Sequence, residues 1–449
     1  MSQVSAMSGQ APAPVSPIAR FEVGPKFSVL FLSVCLGAAI PLILSLYWIA
    51  FWLAPESVGA LLRIPVLMCS VLLGLFWYRA PLSHAEILLF RVLVLAAIAW
   101  LIPTLLATDR THALGGWAKL LILFTVCCFA ARGLRHPPTA HVFGLALLAG
   151  GVILAGFILF TYVRYLGFTV PTYKAAREFK GVAQMGGLPL NSIAFTAVFS
   201  YLMGLCLVHT RRVLILIGLP VLAISSIFTG SRAPLVIMGV SVIALLCLEG
   251  LRSKSVSTRV ATTLLALGTI LAGLVIVTMA SDQEVNHATE GRSHLWSVGL
   301  QKFVERPLFG FGYESWRDDL VSRLPGEYDL TFDLAKSLGG GYHNEYISVM
   351  AEEGLIGMFA VFLIAWLLLR SSWLLAFHRW SAVHASDWPL FAAIFLLLRA
   401  NFEVPGLFGY AQDPVDYLAY LFLAIVLSRF SVEEDYARSL MLTGEGKAL

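Results

Sequence analysis

The sequence predicts an all-α integral membrane protein, and three observations carry the prediction. Apolar residues fill 58% of the 449 positions and charged residues only 13%, and the mean hydropathy is +0.81, which is outside the range of a soluble domain. The apolar residues come in runs long enough to cross roughly 30 Å of hydrocarbon as helices of about 20 residues. The runs also lack the alternation of barrel strands, and a backbone facing lipid must bond internally, which leaves helices.

The first 26 residues, rich in Pro, Ser and Ala, read as a disordered N-terminal tail. The apolar run after Lys26 is too long for a cleaved signal sequence and stands as the first span. Spans are expected near 27–53, 60–79, 86–107, 114–131, 141–165, 188–208, 213–228, 234–250, 259–280, 345–369, 388–405 and 414–429, about twelve in all. Helices 1 to 9 thus occupy 27–280 and helices 10 to 12 occupy 344–429. A long loop carrying short helices, 281–343, lies between the ninth and tenth, and 430–449 forms a C-terminal tail.

Lys and Arg concentrate in cytoplasmic connections. With the N-terminus inside, the cytoplasmic set includes Lys26, Arg79, Arg132, Arg135, Arg211, Arg212 and Arg429, while the external connections 54–59 and 406–413 carry no Lys or Arg. Both tails are then cytoplasmic and the long loop is periplasmic. Three basic segments remain on the outer side. The connection from Thr161 to Gly187 holds Arg164, Lys174, Arg177 and Lys180; the turn "GSRAP" holds Arg232; and the long loop holds Arg292 in "GRSHLW".

Each segment alone admits a plain reading as a solvated loop or an arginine reaching lipid headgroups. Together they point to an anion. Arg232 shares its turn with Pro234 at the start of a span, where unpaired amides and the helix dipole attract negative charge. Guanidinium groups add always-charged, two-point contacts suited to phosphate. Outside the membrane of so apolar a protein, the expected anion is a lipid-linked phosphate or pyrophosphate.

Beyond Arg292 the apolar residues Trp296, Leu300, Phe303 and Val304 recur at helical spacing, with Ser297, Gln301, Lys302 and Glu305 between them. An amphipathic helix is expected over 292–306, stopped by "RPLFGFG". It either covers a site at the outer mouth of the bundle or packs on the other helices. The stretch "GYHNEYISVMAEEGLIG" then enters the tenth span, with Asn344 as its expected cap and His343 at the outer face. Glu352 and Glu353 follow about two and a half turns further in, above the hydrocarbon or facing the bundle interior.

His343 is a structural residue or, facing arginines that hold a phosphate leaving group, a general base. Asn344, Trp296 and the four basic residues of the first connection are candidate substrate contacts. In "RANFEVPG", Arg399, Asn401 and Glu403 sit near the outer end of a span. They form a structural ion pair or mark a substrate path, with Glu403 a candidate contact. All six cysteines fall in expected spans and no His/Asp/Cys cluster has ligand spacing, so no disulfide, metal site or cofactor is expected. The net charge of +4 follows from the cytoplasmic loops, and nothing indicates nucleic acid.

The segments "GSRAP", "GRSHLW", "PLFGFG" and "HNEYISVMAEEGLIG", in that order between roughly 190 and 360, resemble the bacterial O-antigen ligases and polymerases. These are membrane glycosyltransferases with a large periplasmic loop before a late helix. The resemblance implies that Arg232 and Arg292 bind the donor's diphosphate and that His343 is catalytic. It also implies transfer of a glycan from undecaprenyl diphosphate at the outer face of the inner membrane, without metal and with inversion. A ligase would use lipid A-core as acceptor, in lipopolysaccharide biosynthesis, and a polymerase another lipid-linked repeat. Polymerases tend to have two periplasmic loops with matching basic motifs, whereas "GRSHLW" has no equivalent in the first loop here, which favours the ligase. A small-anion transporter is the third reading, although inverted repeats and paired broken helices are not evident.

Overall fold

The computed structural model describes residues 27–53, 56–75, 81–107, 109–168, 190–208, 292–312, 342–377, 388–401 and 414–442, with isolated positions at 179, 220, 221, 224, 225, 228, 229, 256, 257 and 260. The described elements are helices: α1 (Phe27–Leu53), α2 (Glu56–Leu75), α3 (His84–Leu106), α4 (Arg110–Gly133), α5 (Pro137–Leu166), α6 (Leu190–Leu207), α7 (Arg292–Glu305), α8 (Glu345–Phe377), α9 (Trp388–Arg399) and α10 (Pro414–Leu442). Among the described residues, seven helices are long and apolar enough to cross a membrane, drawn from α1, α3, α4, α5, α6, α8 and α10. The spans expected near 213–228, 234–250 and 259–280 lie outside the described residues apart from isolated positions.

Local chemistry sets the helix starts. Ser83 and Glu86 form a capping box at α3, the Glu86 amide donating to Ser83 Oγ at 3.1 Å and the Ser83 amide to Glu86 Oε2 at 2.8 Å. Asp109 caps α4 by accepting from the His112 amide at 3.0 Å. Pro137 opens α5, where its missing N–H costs nothing.

In a bilayer, helices associate through close packing more than through hydrophobic burial, so small residues belong at their contacts. α5 and α6 follow that rule: a Cβ on Gly151 would lie 2.7 Å from the Ala197 carbonyl oxygen, and one on Gly204 would lie 2.8 Å from that of Gly144. α6 is an inner helix, buried at every residue but the half-buried Asn191, and α10 is buried from Val415 to Leu427. α3 instead turns Phe90, Leu95, Ile98 and Ile102 outward as a lipid face.

The helices define two ends of the bundle. At one end the start of α3 meets the end of α10 through Ser83 and Ser431, 2.7 Å apart. Arg135, just before α5, reaches Asp435, and Arg429 donates to the last carbonyls of α6. At the other end lie Arg164 near the end of α5, the start of α6, the start of α8 and the end of α9. Arg132, Arg135 and Arg429 therefore share one end, and Arg164, His343 and Arg399 the other, the division read from the charge pattern.

Three expectations need correction. The tenth span is one long helix, α8, broken at Gly354, whose φ is 64° and ψ −157°. Residues 345–354 are buried or half-buried, and outward residues begin at Leu355 and recur at Phe359, Phe362, Trp366 and Trp373. The lipid-crossing part is therefore the segment after the break, and Glu352 and Glu353, 5% and 0% exposed, face the protein interior beside it. α10 runs on to Leu442, past the boundary at 429 that hydropathy sets.

α7 occupies the expected residues but turns a different face inward. Leu295, Gly299 and Lys302 are buried, while Leu300 is 44% and Val304 75% exposed. The reason is steric. A Cβ on Gly299 would meet Ile347 Cγ2 at 2.5 Å and Tyr342 Cδ1 at 2.9 Å, so only the glycine side of α7 comes this close to α8.

Candidate functional site

The break in α8 leaves backbone groups without helical partners, and at membrane depth these must be satisfied by protein. The segment after α7 satisfies them. The Phe311 amide donates to the Ala351 carbonyl at 3.1 Å and the Gly312 amide to that of Glu352 at 2.7 Å, while the amides of Leu355 and Ile356 donate to the carbonyls of Pro307 and Leu308 at 2.8 and 3.3 Å. "PLFGFG" and "AEEGLIG" are thus two halves of one backbone clasp. Gly310 and Gly354, with φ of 63° and 64°, sit where a Cβ would lie 2.3 Å from the Glu352 carbonyl carbon and 2.6 Å from that of Leu308.

Two cations stack on the clasp. Lys302 Nζ lies 5.1 Å and the Arg306 guanidinium carbon 4.5 Å from the centre of the Phe311 ring. Lys302 is fully buried, whereas the sequence pattern put it on the polar face. The glycine three residues earlier is the signal that could have found it, because a glycine inside an amphipathic helix marks a close approach.

His343 precedes the first turn of α8 and is 7% exposed. Its φ of 49° makes it the one non-glycine among the described residues in the left-handed region, a conformation that persists only where the surroundings impose it. Those surroundings are specific. Asn344 caps α8, its Oδ1 accepting from the Ile347 amide at 3.0 Å, as expected. Its Nδ2 donates to the Asn401 carbonyl at 3.1 Å, the Glu345 amide donates to that of Ala400 at 2.7 Å, and the Tyr346 hydroxyl donates to that of Leu397 at 3.0 Å. The three residues after His343 are pinned to the last turn of α9, so both polar ends of the Asn344 side chain are committed to protein.

That joint unites two segments the sequence offered separately. Arg399 closes α9, is 2% exposed and holds its guanidinium carbon 4.0 Å over the Phe195 ring of α6. Phe195 in turn stacks on Phe395 at 5.4 Å. Trp296 of α7 packs with Tyr342, Ile347 and Ala351. Its indole N–H is buried with no hydrogen-bond partner among the described residues. The histidine therefore stands where α7, α8 and α9 meet.

The candidate arginines are only partly placed. Arg292 opens α7, and its backbone alone is described; it lies seven residues before Gly299, about 10 Å along the axis. Arg164 is exposed in the last turn of α5. Arg232, Lys174, Arg177, Lys180 and Glu403 lie outside the described residues. Aromatic anchors bracket two of these basic segments: the Tyr162 ring of α5 meets Phe179 at 5.2 Å, between Arg177 and Lys180 in sequence, and Phe228 at 4.7 Å, just before "GSRAP". Among the described residues, no group of three or more His, Cys, Asp or Glu could hold a metal ion.

Residues 197–363 match a family model described as O-antigen ligase. The matched stretch contains "GSRAP", α7, the backbone clasp, His343 and the start of α8. No curated protein matches the chain.

Proposed function

We propose that this chain, which belongs through residues 197–363 to the O-antigen ligase family, transfers O-antigen polysaccharide from undecaprenyl diphosphate to lipid A-core. The transfer takes place at the periplasmic face of the bacterial inner membrane. The observation that carries this reading is His343, held buried in a left-handed conformation at the junction of three helices inside the matched stretch. Strain kept at one histidine and imposed by a dedicated joint is what a positioned acid–base group requires.

In the reaction, an acceptor hydroxyl oxygen attacks the anomeric carbon as the C–O bond to the diphosphate breaks. The bonding electrons leave on undecaprenyl diphosphate and the hydroxyl proton passes to His343. Imidazole is the side chain best suited to take up a proton in catalysis near neutral pH. Arg232 and Arg292 stabilise the charge that develops on the diphosphate, the work that a metal does in other glycosyl transfers. Trp296, whose indole N–H has no hydrogen-bond partner among the described residues, contacts substrate, and Arg164, Lys174, Arg177, Lys180 and Glu403 line its approach. Asn344 serves by holding His343. A single displacement gives inversion.

The banding of lipopolysaccharide from a deletion strain tests the reading. Loss of all O-antigen bands with a normal pool of lipid-linked polymer is the expected result. Core carrying a single repeat would assign the chain as a polymerase instead, and unaltered banding would remove both. In purified protein, Arg232→Lys or Arg292→Lys should weaken donor binding, because lysine keeps the charge and loses the planar two-point contact. Donor affinity equal to the parent in both variants would take the diphosphate away from these arginines.

A further inference from the structure

α7 has three faces where a helix packed on protein needs two. At 3.6 residues per turn, Leu295, Gly299 and Lys302 form the inner face against α8, and Ser297, Gln301 and Glu305 form an exposed polar edge. Between them runs an exposed apolar edge: Leu300 is 44% exposed, Val304 75%, and Leu308, just past the helix, 55%. Protein, water and a third, apolar medium are the surroundings that such a helix calls for.

The apolar edge does not end at the helix. The Leu308 carbonyl accepts from the Ile356 amide and the Pro307 carbonyl from that of Leu355. Leu308 therefore lies beside the first residues of the outward row of α8, where Leu355 is 50%, Phe359 54% and Phe362 63% exposed. That row lies on a helix apolar enough to cross the membrane and faces lipid. The two rows form one apolar surface that runs from the hydrocarbon-facing helix onto the side of α7.

We propose that α7 is an interfacial helix: its Leu300–Val304–Leu308 edge inserts into the acyl boundary of the leaflet at the His343 end, and its Ser297–Gln301–Glu305 edge lies in water. A lipid surface is the occupant because the edge continues a lipid face. A soluble partner covering Val304 would have to follow that surface into the bilayer. An interfacial helix buries one apolar side in the acyl boundary and keeps polar residues in water, and on α7 the polar Gln301 and Glu305 flank the apolar Leu300 and Val304 on the side away from α8. The inner face of the same helix touches Tyr342, next to His343. A lipid headgroup at the apolar edge thus comes within about one helix diameter, roughly 10 Å, of that histidine.

The test uses the full chain in phosphatidylethanolamine/phosphatidylglycerol nanodiscs, with photoreactive p-benzoylphenylalanine replacing Val304, Leu308, Gln301 or Glu305 one at a time. After illumination, phospholipid adducts on intact protein should form at 304 and 308 roughly tenfold more than at 301 and 305, as expected when one edge lies in the acyl boundary and the other in water. Equal lipid labelling at all four positions, or adducts at 304 and 308 only with protein, would overturn it. A second measurement needs no photochemistry. Val304→Glu should lower the melting temperature in nanodiscs while Gln301→Glu leaves it unchanged, and an equal response of the two variants sinks the proposal.

Discussion

The two ends of the bundle are held together by different means. At the Arg135 end, side-chain charges are matched to one another: Arg135 bonds Glu86 at 3.0 Å, Asp435 at 2.6 Å and the Pro81 carbonyl at 3.0 Å, and His84 lies 3.1 Å from Glu434. The helix starts there use ordinary backbone conformations and a capping box. At the His343 end, the joining bonds run largely from backbone to backbone between segments remote in sequence. Every residue with positive φ among the described residues, Gly167, Gly310, Gly312, Gly354 and His343, lies at that end. One end is a closed electrostatic lock, and the other keeps backbone strain around a histidine, the pattern expected where stability is given up for a site.

The comparison breaks most directly through turnover. His343→Ala should reduce transfer by about 10²- to 10⁴-fold with donor binding near normal, the usual scale for losing a general base. Arg135→Ala, at the other end, should lose stability and keep its turnover per folded molecule. A purified-protein assay that follows turnover and donor binding separately decides it. Parental rates for His343→Ala, or an equal loss in both variants, would erase the functional difference between the ends.

Backbone strain provides the next largest effect. Gly354→Ala places a Cβ 2.6 Å from the Leu308 carbonyl at a φ of 64°, and should cost on the order of 2–5 kcal/mol from left-handed strain plus overpacking. Gly156→Ala in α5, where a Cβ meets nothing within 4 Å, is the control and should be neutral. Melting curves in one detergent compare them, and a tolerated Gly354→Ala would mean that the clasp is not constrained as described.

At the opposite end, Glu86→Gln keeps the shape but removes the charge that Arg135 and Arg132 share. A loss of roughly 1–3 kcal/mol is expected, the scale for a buried group left without its charged partner. Turnover should be untouched, and a turnover change larger than the stability change would show that the two ends are coupled.

The smallest effect is a titration. His136, at the turn before α5, bonds Thr139 Oγ1 at 3.0 Å, and burial pushes its pKa below the usual 6.5. A depressed folded-state pKa means that the unfolded chain binds the proton more readily. The stability associated with neutral His136 is therefore complete above its ordinary pKa and is lost as pH falls below it toward the folded value. The melting temperature should drop between neutral pH and about pH 5.5, and His136→Gln should flatten that slope. An unchanged slope in the variant would assign the acid sensitivity elsewhere.

Much of this architecture was legible without coordinates. Hydropathy reports helices that face lipid, because the bilayer requires long apolar runs wherever they fold. The charge pattern sorted Arg132, Arg135 and Arg429 from Arg164 and His343, because sidedness is a property of each connection. The end of α7 at Glu305, two residues before Pro307, and the cap at Asn344 follow from chemistry confined to a few neighbouring residues. What only the tertiary structure decided has the opposite character. The clasp of "PLFGFG" on "AEEGLIG", the pinning of His343 to α9 and the burial of Lys302 join residues far apart in the chain, through bonds that all end on main-chain carbonyls and through one glycine contact. Backbone amides and carbonyls are the same at every residue, so such joints leave no periodic trace in the sequence. They exist only once the fold has brought the segments together.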